Sequence, residues 1–205
     1  MSDEYIYPSG LTQRELYEKL HTEGGDYGCG SHGGGTEIFL KGCKSLLDVG
    51  AGRSHYAHDM KAKLALRRVV VADISETACL WHIAKGIIAV PCDALQGLPF
   101  EDCDFDAVTC FDCLEHLPPE GLPSALRELA RVAAKVVVIT VPEIQANYIG
   151  EGGERLHLTV QPMDWWAELI EAVLDIKPSV QQHIVRYRGG NAKNPRYNNC
   201  FVVKV

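Results

Sequence analysis

The chain has 205 residues, 46% of them hydrophobic and 23% charged, with 20 basic against 27 acidic side chains and a net charge of −7. That leaves room for one domain with a real core and excludes a disordered chain, and no apolar run approaches the ~18–20 residues of a membrane span. The acidic balance disfavours nucleic acid as a partner, and eight cysteines behind an N-terminus with no basic or apolar leader read as cytoplasmic thiols, not as a disulfide scaffold.

Leu11 to Leu20 predicts a short helix with Thr12 as its N-cap. Gly24 to Gly35 follows, with seven glycines in twelve residues, and reads as a loop. An alternation then begins. Ser45–Val49 predicts a strand and His55–Leu66 a helix. Arg68–Ala72 is a β-branched run suited to a strand buried on both faces. Ser75–Lys85 predicts a helix capped by Ser75, Gly86–Pro91 a third strand, and Phe105–Cys110 a fourth. Pro119–Ala134 predicts a helix with Leu122, Leu126, Leu129 and Val132 on one side. Lys135–Val141 predicts a fifth strand and Asp164–Val173 a helix, and Val180–Arg188 and Asn199–Val205 two final strands. Strands separated by helical segments imply βαβ units and a largely parallel sheet. The last two strands have no helix between them, so they should pair antiparallel at one edge.

The first strand runs into Asp48-Val49-Gly50-Ala51-Gly52-Arg53-Ser54 and then a helix. Gly50 and Gly52 permit a tight turn and close approach of a ligand, and the helix start offers free N–H groups. A dinucleotide fingerprint would place its third glycine at His55, which argues against a nicotinamide oxidoreductase. Asp48 would suit a cationic ligand. Asp73 ends the second strand and Asp93 follows the third, spaced 25 and 20 residues apart.

This pattern resembles the class I S-adenosylmethionine-dependent methyltransferases, over roughly residues 43 to 142. The resemblance implies an α/β fold: a Rossmann-like seven-stranded sheet, five parallel strands plus a C-terminal antiparallel hairpin, with helices on both faces. It implies one domain over 1–205, with a helix and glycine-rich lid in 1–40 and the core in 41–205. It implies cofactor contacts from Asp48, Gly50, Ala51, Gly52, Asp73, Ile74, Asp93, Ala94 and Asp112. Asp73 would accept from the ribose hydroxyls and Asp93 from the adenine amine. Ser54 departs from the glycine many members carry.

The fourth strand ends in Phe111-Asp112-Cys113-Leu114-Glu115-His116-Leu117-Pro118. In such sheets the acceptor and the methyl donor meet here, so Asp112, Glu115 and His116 are the candidate catalytic residues. Three readings stay open: His116 as a general base, the three side chains as ligands of a divalent metal, or a positioning role. The acid-x-x-acid-His arrangement resembles that of small-RNA 3′-terminal 2′-O-methyltransferases and ubiquinone-pathway O-methyltransferases. The former add a downstream histidine, for which His157 is the candidate; Asp112 stands where glutamate is usual. No metal set is assigned. Cys110 and Cys113 form a C-x-x-C that reads as buried thiols packing as small hydrophobes. A zinc site would need two further ligands, and Cys92 and Cys103 lie on other elements.

The DNA-amine motif [D/N/S]-P-P-[Y/F/W] is missing after strand four, and Pro91-Cys92 follows the wrong strand for a cytosine nucleophile. Leu156 to Trp166 and Asp112 to Glu120 are similar to segments of methyltransferases from phages and bacteria, which fixes the reaction type and leaves the acceptor open. Of Trp165 and Trp166, one is expected in the core and the other against a substrate. Tyr27, Cys29, Ser31 and His32 are candidate lid residues. The expected activity is O-methylation of a small-molecule or saccharide acceptor by S-adenosyl-L-methionine. The alternatives are metal-assisted 2′-O-methylation of an RNA end and a non-catalytic cofactor-binding module. Oligomeric state stays open.

Overall fold

The computed structural model describes residues 5–23, 25, 27–29, 35–142, 155–185 and 196–205. Its strands are β1 (Ser45–Val49), β2 (Arg68–Asp73), β3 (Ile88–Pro91), β4 (Phe105–Phe111), β5 (Ala133–Pro142), β6 (Ser179–Val185) and β7 (Arg196–Lys204). The helices are α1 (Gln13–Glu23), α2 (Tyr56–Lys63), α3 (Glu76–Ile83), α4 (Leu122–Val132) and α5 (Met163–Leu174). The strands form one sheet in the order β3-β2-β1-β4-β5-β7-β6. β1 to β5 are parallel, and β7 runs antiparallel to both β5 and β6. The final hairpin is therefore folded back, with the last strand inside and β6 at the edge.

Alternation along the strands sorts side chains into two layers. Leu46, Val69, Val71, Ala107, Val136 and Val138 pack with Tyr56, Ala57 and Met60 of α2. Leu47, Val70, Val108, Val137 and Ile139 pack with Leu122, Leu126 and Leu129 of α4 and with Trp166 and Ile170 of α5. Each Val, Leu, Ile and Met among them contributes about 1.5–3 kcal/mol of transfer free energy. Trp166 is fully buried, and Trp165 meets it edge-on at 5.3 Å and packs against the same layer, so both tryptophans serve the core.

Boundaries differ from expectation for identifiable reasons. Thr12 accepts the Glu15 N–H at 3.2 Å, and Glu15 accepts the Thr12 N–H at 2.9 Å, a reciprocal capping box that starts α1 at Gln13. The expected helix over Pro119–Ala134 divides. Pro123 has no N–H to return to the preceding turn, so Pro119–Gly121 forms a separate 3-10 turn and α4 begins at Leu122. Ala133 is already extended, so α4 passes directly into β5.

Because β1 and β4 are neighbours while β2 and β5 lie on their outer sides, the connections diverge at the carboxyl ends of β1 and β4. That divergence opens a crevice above the sheet. No helix among the described residues is long and apolar enough to cross a membrane.

Candidate active site

β1 leads into the glycine turn. Gly50 has φ +68° and Gly52 φ +54°, both in the left-handed region. The Gly50 N–H donates to Ala72 O at 2.8 Å, and the Gly52 N–H donates to Asp73 Oδ2 at 2.8 Å. Asp73 Oδ1 accepts the Ser75 N–H at 2.9 Å. Asp73 is 6% exposed; burial pushes its carboxyl up, against the pull of His21 and these two N–H donors. The acid at the end of β2 thus clasps the β1 turn. Thr109 donates to the buried Asp48 at 2.7 Å.

Asp93 accepts the Leu95 N–H at 2.8 Å and lines an open cavity of about 400 Å³ with Tyr5, Gln13, Leu95, Pro118 and Glu120. Ala51 is buried in the α2 layer, Ala94 packs on the α4 layer, and Ile74 packs under α1.

At the end of β4, Asp112 has φ +49°. Its N–H donates to Thr140 O, and Thr140 Oγ1 donates to its carboxylate at 3.0 Å. Asp112 is thereby fastened to β5 and does not join the donor group of Glu115, His116 and His157. The chain then makes a 3-10 turn over Leu114–His116. Glu115 is 1% exposed, and neither carboxylate oxygen has a hydrogen-bond partner among the described residues. His116 Nε2 and His157 Nε2 each lie 3.9 Å from Glu115 Oε1. Ligand atoms of Glu115, His116 and His157 all fall within 4.8 Å of one another.

Backbone bonds bring His157 here. The N–H groups of Leu158 and Thr159 donate to Glu115 O at 2.8 and 2.9 Å, and Thr159 Oγ1 donates to Leu117 O at 2.9 Å. His116 Nδ1 lies 2.9 Å from Leu156 O, which makes Nδ1 the donor and leaves the Nε2 lone pair toward Glu115. Burial and the neighbouring His157 push His116 down to about 4. At neutral pH it is an unprotonated imidazole, a good ligand and a weak base.

The N-terminal segment roofs both strand ends. Gln13 donates to His116 O at 2.9 Å and Arg14 to Ile74 O at 2.9 Å. Glu18 accepts from Ser75 Oγ at 2.7 Å and from the hydroxyl of Thr77. The Tyr17 ring stands 5.5 Å from His116, and Tyr27 stands 6.3 Å from Tyr17. Arg53 donates to Tyr27 O at 3.1 Å and to Gly25 O. Tyr27 therefore belongs to the roof, whereas Cys29 is exposed. Ser31, His32, Glu143, residues 144–154 and Arg188 lie outside the described residues.

Cys110 is buried and hydrogen-bonded to Cys113, both free thiols. Among the described residues no cysteine joins a metal-ligand group.

Sequence reasoning overlooked the roof residues Gln13 and Tyr17, although both share the inward stripe of Leu16 and Leu20. It also overlooked His82 on α3. This fully buried ring places Nε2 3.0 Å from Gly52 O and Nδ1 3.1 Å from His58 Nε2. Burial pushes His82 down from 6.5 to about 4. Between those values the unfolded chain binds a proton that the folded chain refuses. Stability is therefore complete above pH ~6.5 and falls toward pH 4, by up to roughly 3 kcal/mol for this residue. Urea melts at pH 7 and pH 5 test this: His82→Gln should shrink the difference between the two, and an unchanged difference refutes it.

Residues 46–135 match a family described as a methyltransferase domain. Among solved structures, the chain is similar in fold to a SAM-dependent methyltransferase from Archaeoglobus fulgidus, at 16% identity and TM-score 0.62, with 95% of each chain covered. It is similar to 1,6-didemethyltoxoflavin-N1-methyltransferase from Burkholderia thailandensis, solved with 1,6-didemethyltoxoflavin and S-adenosylhomocysteine. That match has 19% identity and TM-score 0.59, over 82% of this chain and 73% of that one. It is also similar to phosphoethanolamine N-methyltransferase 2 from Haemonchus contortus in complex with S-adenosyl-L-methionine. Here identity is 16% and TM-score 0.69, over 96% of this chain and 61% of that one.

Proposed function

We propose that this chain is a class I S-adenosylmethionine-dependent methyltransferase and that it methylates a hydroxyl of a small molecule or saccharide, with a divalent metal ion held by Glu115, His116 and His157. The observation that carries this reading is the buried Glu115 carboxylate, with no hydrogen-bond partner on either oxygen among the described residues and an imidazole Nε2 on each of two sides. A buried carboxylate without a partner is costly, and one acid plus two neutral imidazoles is a donor set that suits a divalent ion. The bond from His116 Nδ1 to Leu156 O supplies the orientation that ligating histidines need. When bound, such an ion would polarise an acceptor oxygen and lower its pKa.

The chain's own residues do the rest. Gly50 and Gly52 let the cofactor approach the backbone, and Asp73 keeps lone pairs for the ribose hydroxyls beyond its two N–H bonds. Asp93, on the cavity beyond β3, would accept from the adenine amine. The reaction is an in-line displacement at the sulfonium methyl, which rests mainly on positioning. Tyr17 and the α1 segment exclude water above Glu115. A roof this close to the donor group favours a small acceptor over a polymer.

Calorimetric titration and a methyl-transfer assay with hydroxyl acceptors test the reading. S-adenosylhomocysteine should bind and NAD should not. Asp73→Ala should weaken S-adenosylhomocysteine by roughly tenfold or more, as expected for losing bonds to a charged acceptor. A chelator should abolish turnover and leave cofactor binding intact. Turnover indifferent to chelator removes the metal; binding of NAD in place of S-adenosylhomocysteine removes the whole assignment.

A further inference from the structure

His82 contributes nothing to the donor group at Glu115 and reaches the glycine turn from α3. Its ring is wholly buried on α3, yet both nitrogens are engaged. Gly52 O has no hydrogen to give, so His82 Nε2 must be the donor in that 3.0 Å contact. His82 Nδ1 is then the acceptor, and His58 Nε2 the donor, in the 3.1 Å contact between the rings. The two imidazoles are stacked at 5.2 Å and 13°, which holds both planes. One tautomer of each histidine is thus selected by a backbone carbonyl at the end of the chain of bonds.

That carbonyl matters. Gly52 is left-handed at φ +54°, a region with weak intrinsic preference for one geometry, so its flanking peptides need external anchors. The N–H of Gly52 is held by Asp73 at 2.8 Å. The peptide that follows has its oxygen on His82 and its N–H, that of Arg53, on Gly28 O at 3.1 Å. One peptide plane therefore joins α3 to the N-terminal loop.

We propose that His82, backed by His58, is a positioning residue for the cofactor: it fixes the Gly52 peptide plane through its carbonyl, and through that plane sets both the glycine turn and the seat of the Tyr27–Gly28 loop. The inference rests on the reading that the methyl donor binds on this turn. It assigns cofactor affinity to two histidines that act through a backbone carbonyl.

The test uses three replacements at residue 82. In His82→Gln the side-chain amide nitrogen takes the place of Nε2 and keeps the donor. His82→Asn places its amide one bond short, and His82→Leu has no donor. S-adenosylhomocysteine affinity should stay within about threefold of the unaltered chain in His82→Gln and fall about tenfold in His82→Leu, the expected effect of one buried carbonyl losing its partner. The KM for S-adenosylmethionine should rise in parallel while kcat at saturating cofactor changes less than about twofold, because a positioning loss of this kind is uniform binding. His58→Leu should give a smaller loss in the same direction. If His82→Leu does not fold, the Gln and Asn pair still decides: Asn should lose affinity and Gln should keep it. Equal affinity in all folded variants overturns the proposal, as does a fall in kcat with the cofactor KM unmoved. Should the unaltered chain bind no S-adenosylhomocysteine, the cofactor reading itself fails. Should it bind and the variants match it, only the role of His82 is lost.

Discussion

Glu115→Gln should abolish divalent-metal binding and cut methyl transfer on the order of 100-fold or more, with S-adenosylhomocysteine affinity little changed. Glutamine has the shape of glutamate without its charge, and Glu115 is the only acid in the three-residue donor group. Stability should move the other way. Burial and the Asp112 charge push the Glu115 carboxyl well up, so the side chain is an unfavourable anion wherever no cation accompanies it. In chelator at neutral pH, the glutamine variant should therefore melt higher than the unaltered chain. Added manganese should raise the melting temperature of the unaltered chain and not that of the variant. Melts with and without chelator, beside a calorimetric metal titration, read both signs. A variant that melts lower in chelator would show that the carboxylate has structural partners, and the case for an ion there would collapse.

The second large effect belongs to Gly50→Ala. At φ +68° an alanine is strained by about 1–2 kcal/mol. Its Cβ would also stand 2.3 Å from Cys113 Sγ and 2.7 Å from Cys113 Cβ. Overpacking of this kind costs about 1–3 kcal/mol more and displaces the segment that carries Glu115 two residues later. Together these should lower stability by about 2–5 kcal/mol and weaken the cofactor at least about tenfold. Cys113→Gly in the same chain removes both offending atoms and leaves Cys113 Cα at 4.0 Å, an ordinary contact. It should restore the packing part of the loss and none of the backbone part. Urea denaturation of the four chains gives the coupling as a double-mutant cycle. Additive losses would mean that the loop after β4 does not press on the glycine turn.

The Gly50–Gly52 turn and the acids at 48, 73 and 93 were legible because strand ends, helix starts and acids recur at sequence distances that a parallel sheet dictates. Glu115, His116 and His157 were legible as candidates through a resemblance, but their convergence depends on the bonds from Leu158 and Thr159 to Glu115 O, which involve no side chain at 157. The placement of Asp112 was not legible, because its left-handed backbone and its bond to Thr140 are decided by β5, not by its neighbours in sequence. His82 was invisible for a related reason. Its partners are a backbone carbonyl 30 residues earlier and an imidazole on α2, and nothing in Leu80-Trp81-His82-Ile83 announces either. The antiparallel pair was foreseen, yet not that β7 would be the inner strand. Pairing order among apolar strands is a matter of the whole sheet's packing, not of local pattern.

The insertion of β7 between β5 and β6 also shapes how the chain reaches this fold. β1, β2 and β3 pair across short crossovers, whereas β1 pairs Leu46 with Ala107 of β4, and β5 pairs Val136 with Lys204 and Pro142 with Asn198 of β7, far along the chain. Closure entropy rises with such separations, and contacts of this kind form late. β6 has no neighbour in the sheet except β7, so it gains its place only when β7 arrives. Until then β5 carries an open edge whose run from Val136 to Val141 is buried in the finished sheet, the kind of edge that recruits other chains. Assembly is thus staged: β1, β2 and β3 make pairings the chain can reach early, whereas the joins of β1 to β4 and of β5 to β7 wait for strands far along the chain.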